Sequence, residues 1–254
     1  LFGLETALAH FHAESLAFHD TPFSRGEAGI PINGLIWMGD YQMMLEQIER
    51  KIEIGFRCVK LKIGAIRFEE ELALLRHIRA KLPAGKVELR VDANGAFTPA
   101  EAMEKLQRLA ELEIHSIEQP IRAGQWEEMA RLAAASPLPI ALDEELIGHD
   151  TYEEKTRLLQ TIRPRYIILK PSLHGGIHGC EEWIEIAGRE GIGWWITSAL
   201  ESNIGLNSIA QWCATLGNPL PQGLGTGALF TDNIDLLLEV RGDCLWFNPK
   251  SLKR

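Results

Sequence analysis

The sequence predicts a parallel α/β barrel, and three observations carry that expectation. Short apolar runs recur along the chain, helical stretches separate them, and a charged side chain ends each of the central runs. The runs are "INGLIWMG", "CVKLKIG", "VELRVDAN", "IHSIEQP", "LPIALDE", "RYIILKP", "GWWITSAL" and "PQGLGTG", which makes eight candidate strands. Between them, "FEEELALLRHIRAKL" places Leu72, Leu75, Ile78 and Leu82 at helical spacing. "TPAEAMEKLQRLAEL" opens with a capping box in which Thr98 caps, Pro99 takes the first helical position and Glu101 closes back. Strands alternating with helices of this length specify crossover connections, and eight repeats suit closure into a barrel better than an open, doubly wound sheet.

No low-complexity linker interrupts the repeat, so residues 31–230 are expected to form one domain, flanked by segments 1–30 and 231–254. The first segment reads as an amphipathic helix with Leu4, Leu8 and Phe11 on one side, without the features of a signal peptide. The chain begins at Leu rather than Met, which fits a piece of a longer protein.

Of the 254 residues, 46% are hydrophobic, enough to bury one large core, and the formal net charge of −9 disfavours nucleic acid or an anionic membrane as partner. No apolar stretch is long enough to span a bilayer. Cys58, Cys180, Cys213 and Cys244 are widely spaced and form no CxxC pair, which reads as reduced thiols in the cytoplasm rather than a disulfide or zinc framework.

The informative regularity is at the strand ends. From Asp92 in "VDAN", the steps to Glu118 in "IEQP", Asp143 in "LDEE" and Lys170 in "ILKP" are 26, 25 and 27 residues. Each step is one strand, one helix and two short loops, so these residues occupy equivalent heights on successive strands and converge on the carboxyl-end mouth. Alone, any one of them reads as a solvated loop charge. Together, three converging carboxylates repel, and a divalent cation relieves that repulsion. An all-oxygen donor set without Cys or His favours Mg²⁺, with Mn²⁺ as a substitute, over zinc. Asp92, Glu118 and Asp143 are thus the expected metal ligands, with Asn94 and Glu144 beside them to orient the set.

Lysines flank this expected centre. Lys60 and Lys62 lie two apart on one strand and so leave the same face, while Lys170 ends a strand further on. Burial, a neighbouring ammonium and a metal ion all lower a lysine's pKa, so the pair is expected to supply a base near neutral pH. The reaction that suits a lysine base beside a divalent cation is proton abstraction α to a carboxylate.

At this point a resemblance enters. KxK, DAN, EQP, LDE and LKP on successive strands resemble the muconate-lactonizing branch of the enolase superfamily. Within it, "TSALESNIGLNSIAQ" at 197–211 and "QGLGTGALF" at 222–230 resemble the o-succinylbenzoate synthase family. The resemblance covers nearly the whole barrel. It implies a (β/α)7β barrel with only remnants of an α+β capping domain. It also implies Mg²⁺-dependent syn-dehydration of 2-succinyl-6-hydroxy-2,4-cyclohexadiene-1-carboxylate to 2-succinylbenzoate in menaquinone biosynthesis. In that reaction Lys62 would take the α-proton and return it to the departing hydroxyl, Lys170 would stabilise the enediolate from the opposite face, and Lys60 would support Lys62. The resemblance also implies that residues at the seventh strand end hold the succinyl part, which makes Ser198, then Glu201 and Ser202, substrate-binding candidates. The same three could equally cap the helix starting near Asn203. Gly223 joins them because a glycine lets the backbone approach a carboxylate closely. An N-acylamino acid racemase, or a barrel that only binds a small acid, are the alternatives.

Three minor readings complete the set. The glycines of "LHGGIHG" and "GLGTG" offer a phosphate cradle, His174 and His178 a second metal site, and Trp194 and Trp195 a cofactor stack. Each is weaker than its packing or loop-building counterpart.

Overall fold

The structure is a computed structural model that describes residues 1–234 and 237–249. Residues 235, 236 and 250–254 of the flanking segment 231–254 lie outside the described residues.

The elements follow in chain order: α1 (Phe2–Ala13), β1 (Ile30–Pro31), β2 (Gly34–Ile36), α2 (Tyr41–Ile54), β3 (Cys58–Lys62), α3 (Phe68–Lys81), β4 (Glu88–Asp92) and α4 (Pro99–Ala110). They continue with β5 (Ser116–Glu118), α5 (Trp126–Ala135), β6 (Ile140–Leu142), α6 (Tyr152–Ile162), β7 (Tyr166–Leu169), α7 (Gly176–Glu190), β8 (Gly193–Ile196), α8 (Asn203–Cys213), β9 (Leu238–Arg241) and β10 (Cys244–Phe247). The chain divides into two compact units. One holds Gly34–Ile168 and Glu185–Trp194, and the other holds Leu1–Asn33, Leu169–Ile184 and Trp195–Arg254.

In the first unit, β2 to β7 pair in parallel in sequence order, as strand–helix alternation requires. The helices between them begin at side chains that satisfy their first amides. Asp40 accepts from the Met43 N–H (2.9 Å), and the predicted box at the start of α4 forms, with the Thr98 N–H donating to Glu101 (3.0 Å). A second box, Thr151 with Glu154, opens α6. Of the predicted apolar face of α3, Leu72, Leu75 and Ile78 are buried and Leu74 joins them, whereas Leu82 is the half-buried C-cap. Each such leucine contributes about 2 kcal/mol on burial, so the face outweighs the helix's weak N-cap at Arg67.

The second unit carries the antiparallel sheet β1-β10-β9 and the helices α1 and α8. Its segment "PQGLGTG", predicted as an eighth strand, makes only isolated parallel bridges, Gln222 to Ile32 and Gly223 to Thr197. Pro219 and Pro221 have no N–H to donate, and Gly223 and Gly225 weaken any continuous ladder. Even so, the Gln222 N–H reaches Pro31 O (2.8 Å) and the Gly223 N–H reaches Ile196 O (2.8 Å), so the segment bonds on both sides. Helix α1 departs from expectation more sharply. Leu4, Leu8 and Phe11 are 61, 49 and 76% exposed, and the buried residues are Phe2 and Thr6. Polar contacts set that orientation, with the Thr6 hydroxyl donating to Ser208 (3.0 Å) and Glu5 reaching the start of α7. Among the described residues no helix is long and apolar enough to cross a membrane.

Candidate active site

Strand register brings the predicted carboxylates and lysines of the first unit onto one face. Lys62 is opposite Asp92, Asp92 is opposite Glu118, and Asp143 lies two residues beyond Ala141, the partner of Glu118. All three carboxylate residues are at most 2% exposed. Lys60 Nζ bridges Asp92 Oδ2 (3.0 Å) and Glu118 Oε2 (2.7 Å), and Lys62 Nζ stands 2.8 Å from Asp92 Oδ2. Lys62 also donates to Asn94 Oδ1 (2.7 Å), whose amide donates to Glu144 Oε1 (2.7 Å). The Trp37 ring lies 5.7 Å from Lys62 Nζ, an apolar wall beside the amine.

For Lys60 these contacts correct the expectation that a neighbouring ammonium lowers its pKa. Burial does act against charge on Lys60, but Asp92 and Glu118 outweigh it and raise its pKa above the usual lysine range. Burial likewise opposes ionisation of Asp92, and Lys60 and Lys62 override it, holding that carboxyl well below the usual range. Lys60 is therefore a fixed cation, and both amines converge on Asp92 Oδ2. Glu144 goes the other way, pushed up by burial and by Asp143.

Among the described residues, no group of three His, Cys, Asp or Glu side chains stands assembled to hold a metal ion. The negative charge of Asp92 and Glu118 is met by the lysines instead. The donor set still fits a hard divalent cation. It is all oxygen, Asp92 is kept ionised, and Glu144 Oε2 is buried with no hydrogen-bond partner.

One buried amide that the sequence reading passed over joins these strand ends. Gln119, fully buried, donates to Ile121 O and Glu145 Oε2 (3.0 Å each) and accepts the N–H groups of Asp143 and Glu145 (3.2 Å each). Its neighbour in "EQP" drew the attention, because a carboxylate after an apolar run is a stronger signal than an amide. Glu71 was passed over as well. Its buried carboxylate accepts from the Gly64 N–H (2.5 Å) and holds the loop after Lys62.

In the second unit the predicted residues do something different. The Lys170 N–H donates to His174 Nδ1 (3.0 Å), and the Leu173 and His174 N–H groups return to Lys170 O (2.8 and 3.0 Å). Ser198 donates to the Glu201 carboxylate, which also takes Ser172 and the Ala199 N–H (2.9 Å), while Ser198 Oγ accepts from the Leu200 N–H (3.0 Å). Ser198 and Glu201 thus build the loop, and Ser202 is the N-cap residue of α8 by position, with the Leu206 N–H on its carbonyl (2.9 Å) but no capping bond from its side chain, while the Asn203 N–H goes to Asn233 Oδ1 (2.9 Å). Gly223 has a packing reason, since a Cβ there would collide with the Thr197 side chain. The phosphate-cradle reading of "LHGGIHG" is overturned at α7. Glu5 Oε2 accepts the Ile177 N–H (2.7 Å) and Oε1 the His178 N–H (3.1 Å), so the chain's own carboxylate fills that helix N-terminus. His174 and His178 do not share a target: the first bonds Lys170, and the second, exposed, lies 3.6 Å from Glu182.

Fold and site together define an α/β domain with an acidic, lysine-flanked centre at consecutive strand ends. Residues 43–242 match the model of the enolase C-terminal domain-like family, and the chain belongs to that family. It is 58% identical over 223 residues to the o-succinylbenzoate synthase of Desulfotalea psychrophila, a match that covers 88% of this chain and 60% of that protein. A crystal structure of MenC from Desulfotalea psychrophila LSv54 superposes with a TM-score of 0.85 at 55% identity, covering 92% of this chain and 64% of that one. The muconate lactonizing enzyme of Pseudomonas putida gives a TM-score of 0.74 at 27% identity, with 86 and 60% covered. The chain thus spans less than two thirds of the length of these relatives. The fold is the α/β barrel of the enolase superfamily, whose members are generally magnesium-dependent.

Proposed function

We propose that this chain carries the catalytic part of an o-succinylbenzoate synthase. The observation that carries the reading is the meeting of Lys60 and Lys62 with Asp92 and Glu118 in a chain 58% identical to a curated enzyme of that name. The substrate is a cyclohexadiene carboxylate bearing a succinyl chain and a neighbouring hydroxyl.

Lys62 removes the proton α to the carboxylate, and the electron pair moves into the carboxylate to give an enediolate. The C–O bond of the neighbouring hydroxyl then breaks as Lys62 returns the proton, so water leaves and the ring becomes aromatic. One lysine serving both steps requires removal and departure on the same face, a syn elimination. Lys60 keeps Asp92 ionised, pairs with Glu118 and repels a second proton from the centre. Asn94 holds the Lys62 amine at a set position, and Trp37 shields it. Lys170 stabilises the enediolate charge, and Ser198, Glu201, Ser202 and Gly223 shape the loops that hold the succinyl part. Asp92, Glu118 and Asp143 would hold Mg²⁺, with Mn²⁺ as a substitute, and Glu144 would orient the set. A bound divalent ion supplies positive charge where the substrate carboxylate gains negative charge. The four cysteines, none of them in a disulfide, fit a reducing, cytoplasmic location.

The test is to incubate the chain with the cyclohexadiene substrate, with and without Mg²⁺, and follow aromatic absorbance. Metal-dependent product that Lys62→Ala abolishes is expected. Metal-dependent exchange of the α-hydrogen of an N-acylamino acid in deuterated water, without any aromatisation, would overturn the assignment.

A further inference from the structure

Gln119 sits where the loops after three consecutive strands meet. Its backbone N–H donates to Ala141 O in β6 (2.9 Å), and its carbonyl accepts the Gly95 N–H from the loop after β4 (2.7 Å). Its side chain crosses to the backbone of Asp143 and Glu145 and to the Glu145 carboxylate, which in turn takes the Gly124 N–H (2.7 Å). One residue therefore touches the segments that carry Asp92, Glu118 and Asp143. Its backbone is held at φ 38°, a left-handed conformation unfavourable for a non-glycine residue, so the surrounding bonds over-determine it.

The chemistry of the side chain is equally fixed. A primary amide has two N–H donors and two acceptor sites, and here all four are used. Turning the amide over would set its NH₂ against two backbone N–H groups and its oxygen against two acceptors, so only one orientation works. Glutamate at this position would place a second carboxylate oxygen against Glu145. Methionine, of similar length, would take the amide partner away from two N–H groups, the Ile121 carbonyl and a Glu145 oxygen at a position with no exposure to solvent.

We propose that Gln119 is a positioning residue that sets the spacing of the Asp92, Glu118 and Asp143 carboxylates and so tunes the affinity of that centre for a divalent cation. This inference rests on the reading of those three residues as metal ligands. Groups that orient metal ligands typically change affinity 10- to 100-fold when removed, whereas a merely structural amide would lower stability and leave the affinity of the folded protein alone.

The experiment titrates Mn²⁺ alone into the wild-type chain and into Asp92→Asn, Gln119→Met and Glu145→Gln, reading binding by calorimetry and folding by circular dichroism. If wild type binds no Mn²⁺, or binds it no better than Asp92→Asn, the metal-ligand reading fails and this inference with it. If wild type binds and Asp92→Asn does not, Gln119 is decided separately. Folded Gln119→Met that binds about 10- to 100-fold more weakly supports the proposal, and wild-type affinity in that variant overturns it. Should Gln119→Met fail to fold, Glu145→Gln decides, because it keeps the shape and replaces one of the two oxygens that take the Gln119 amide and the Gly124 N–H, loosening the cluster that holds Gln119. Several-fold weaker binding then supports the proposal, and unchanged binding overturns it.

Discussion

The polar residues at the strand ends of the two units are similar in kind and opposite in use. In the unit that holds β3 to β6, charged side chains bond to one another: Lys60 to Asp92 and Glu118, Lys62 to Asp92 and through Asn94 to Glu144. In the unit that holds α1 and α8, the acceptors named above serve loops and helix starts: His174 takes the Lys170 N–H, Glu201 the Ala199 N–H as well as the Ser172 and Ser198 hydroxyls, and Glu5 the first amides of α7. A side chain that serves a backbone amide fixes the course of a loop. One that faces an opposite charge in a buried site holds a protonation state, and protonation states are what acid–base chemistry uses. The difference separates equipment for a reaction from scaffolding for a pocket without reference to any substrate.

The largest expected effect breaks the charged network at Lys62, the proposed base. Lys62→Ala should lower turnover by about 10²- to 10⁴-fold or more, the range of a general acid–base group, measured by aromatic absorbance with folding checked by circular dichroism. Undiminished turnover would move the base elsewhere. Next is Lys60→Met. It leaves two buried carboxylates short of a counter-charge, which should destabilise the chain by about 3–5 kcal/mol in a denaturant titration. The sign of its pH dependence follows from Asp92. Because the folded-state pKa of that group is depressed, its stabilisation is present above the ordinary carboxylate range and lost as pH falls through the lower folded value. Lys60→Met should therefore begin acid unfolding at a higher pH than wild type, and an unchanged acid midpoint would show that the lysine does not hold the carboxylates.

Smaller effects sharpen the other side of the comparison. Glu201→Ala removes an acceptor used by Ser172, Ser198 and the Ala199 N–H, so a loss of about 1–2 kcal/mol is expected, seen as a fall in Tm. Were its Tm unchanged while KM rose steeply, Glu201 would belong to substrate contact rather than to the loop. Glu5→Gln keeps an acceptor but loses the negative charge at the α7 N-terminus, which is worth about 0.3–1 kcal/mol and should shrink as salt is added. The smallest perturbation is chemical labelling. Burial pushes the Cys58 and Cys213 thiols up to about 12, so both should resist a thiol reagent at pH 8 until the chain unfolds, while half-buried Cys244 reacts first.

The charged network was the more legible half in the sequence, for a physical reason. A strand end with Lys, Asp or Glu directly after an apolar run is conspicuous, and parallel register carries equivalent positions to equivalent heights, so Lys62, Asp92 and Glu118 could be placed together from spacing alone. Spacing does not reveal which charge each lysine faces, so the raised pKa of Lys60 follows only from its contacts with Asp92 and Glu118. The backbone-directed half was harder to see. Glu5 and Ile177 are 172 residues apart, and no local pattern announces that pairing. In the first unit, too, Gln119 is an ordinary polar letter until its four partners are known. In α1, periodicity picked the exposed stripe of Leu4, Leu8 and Phe11, because the bonds of Glu5 and Thr6 orient that helix more strongly than its leucines do.

The Glu5 carboxylate at the α7 N-terminus also bears on how this scaffold could be changed. Two amides that would otherwise attract a phosphoryl group are engaged from within the chain, and a Cβ at Gly176 would collide with the same carboxylate. A designer who wished to recruit a phosphorylated substrate to this end of the barrel would therefore have to begin at residue 5, far along the chain from the glycines that look like the natural place to start.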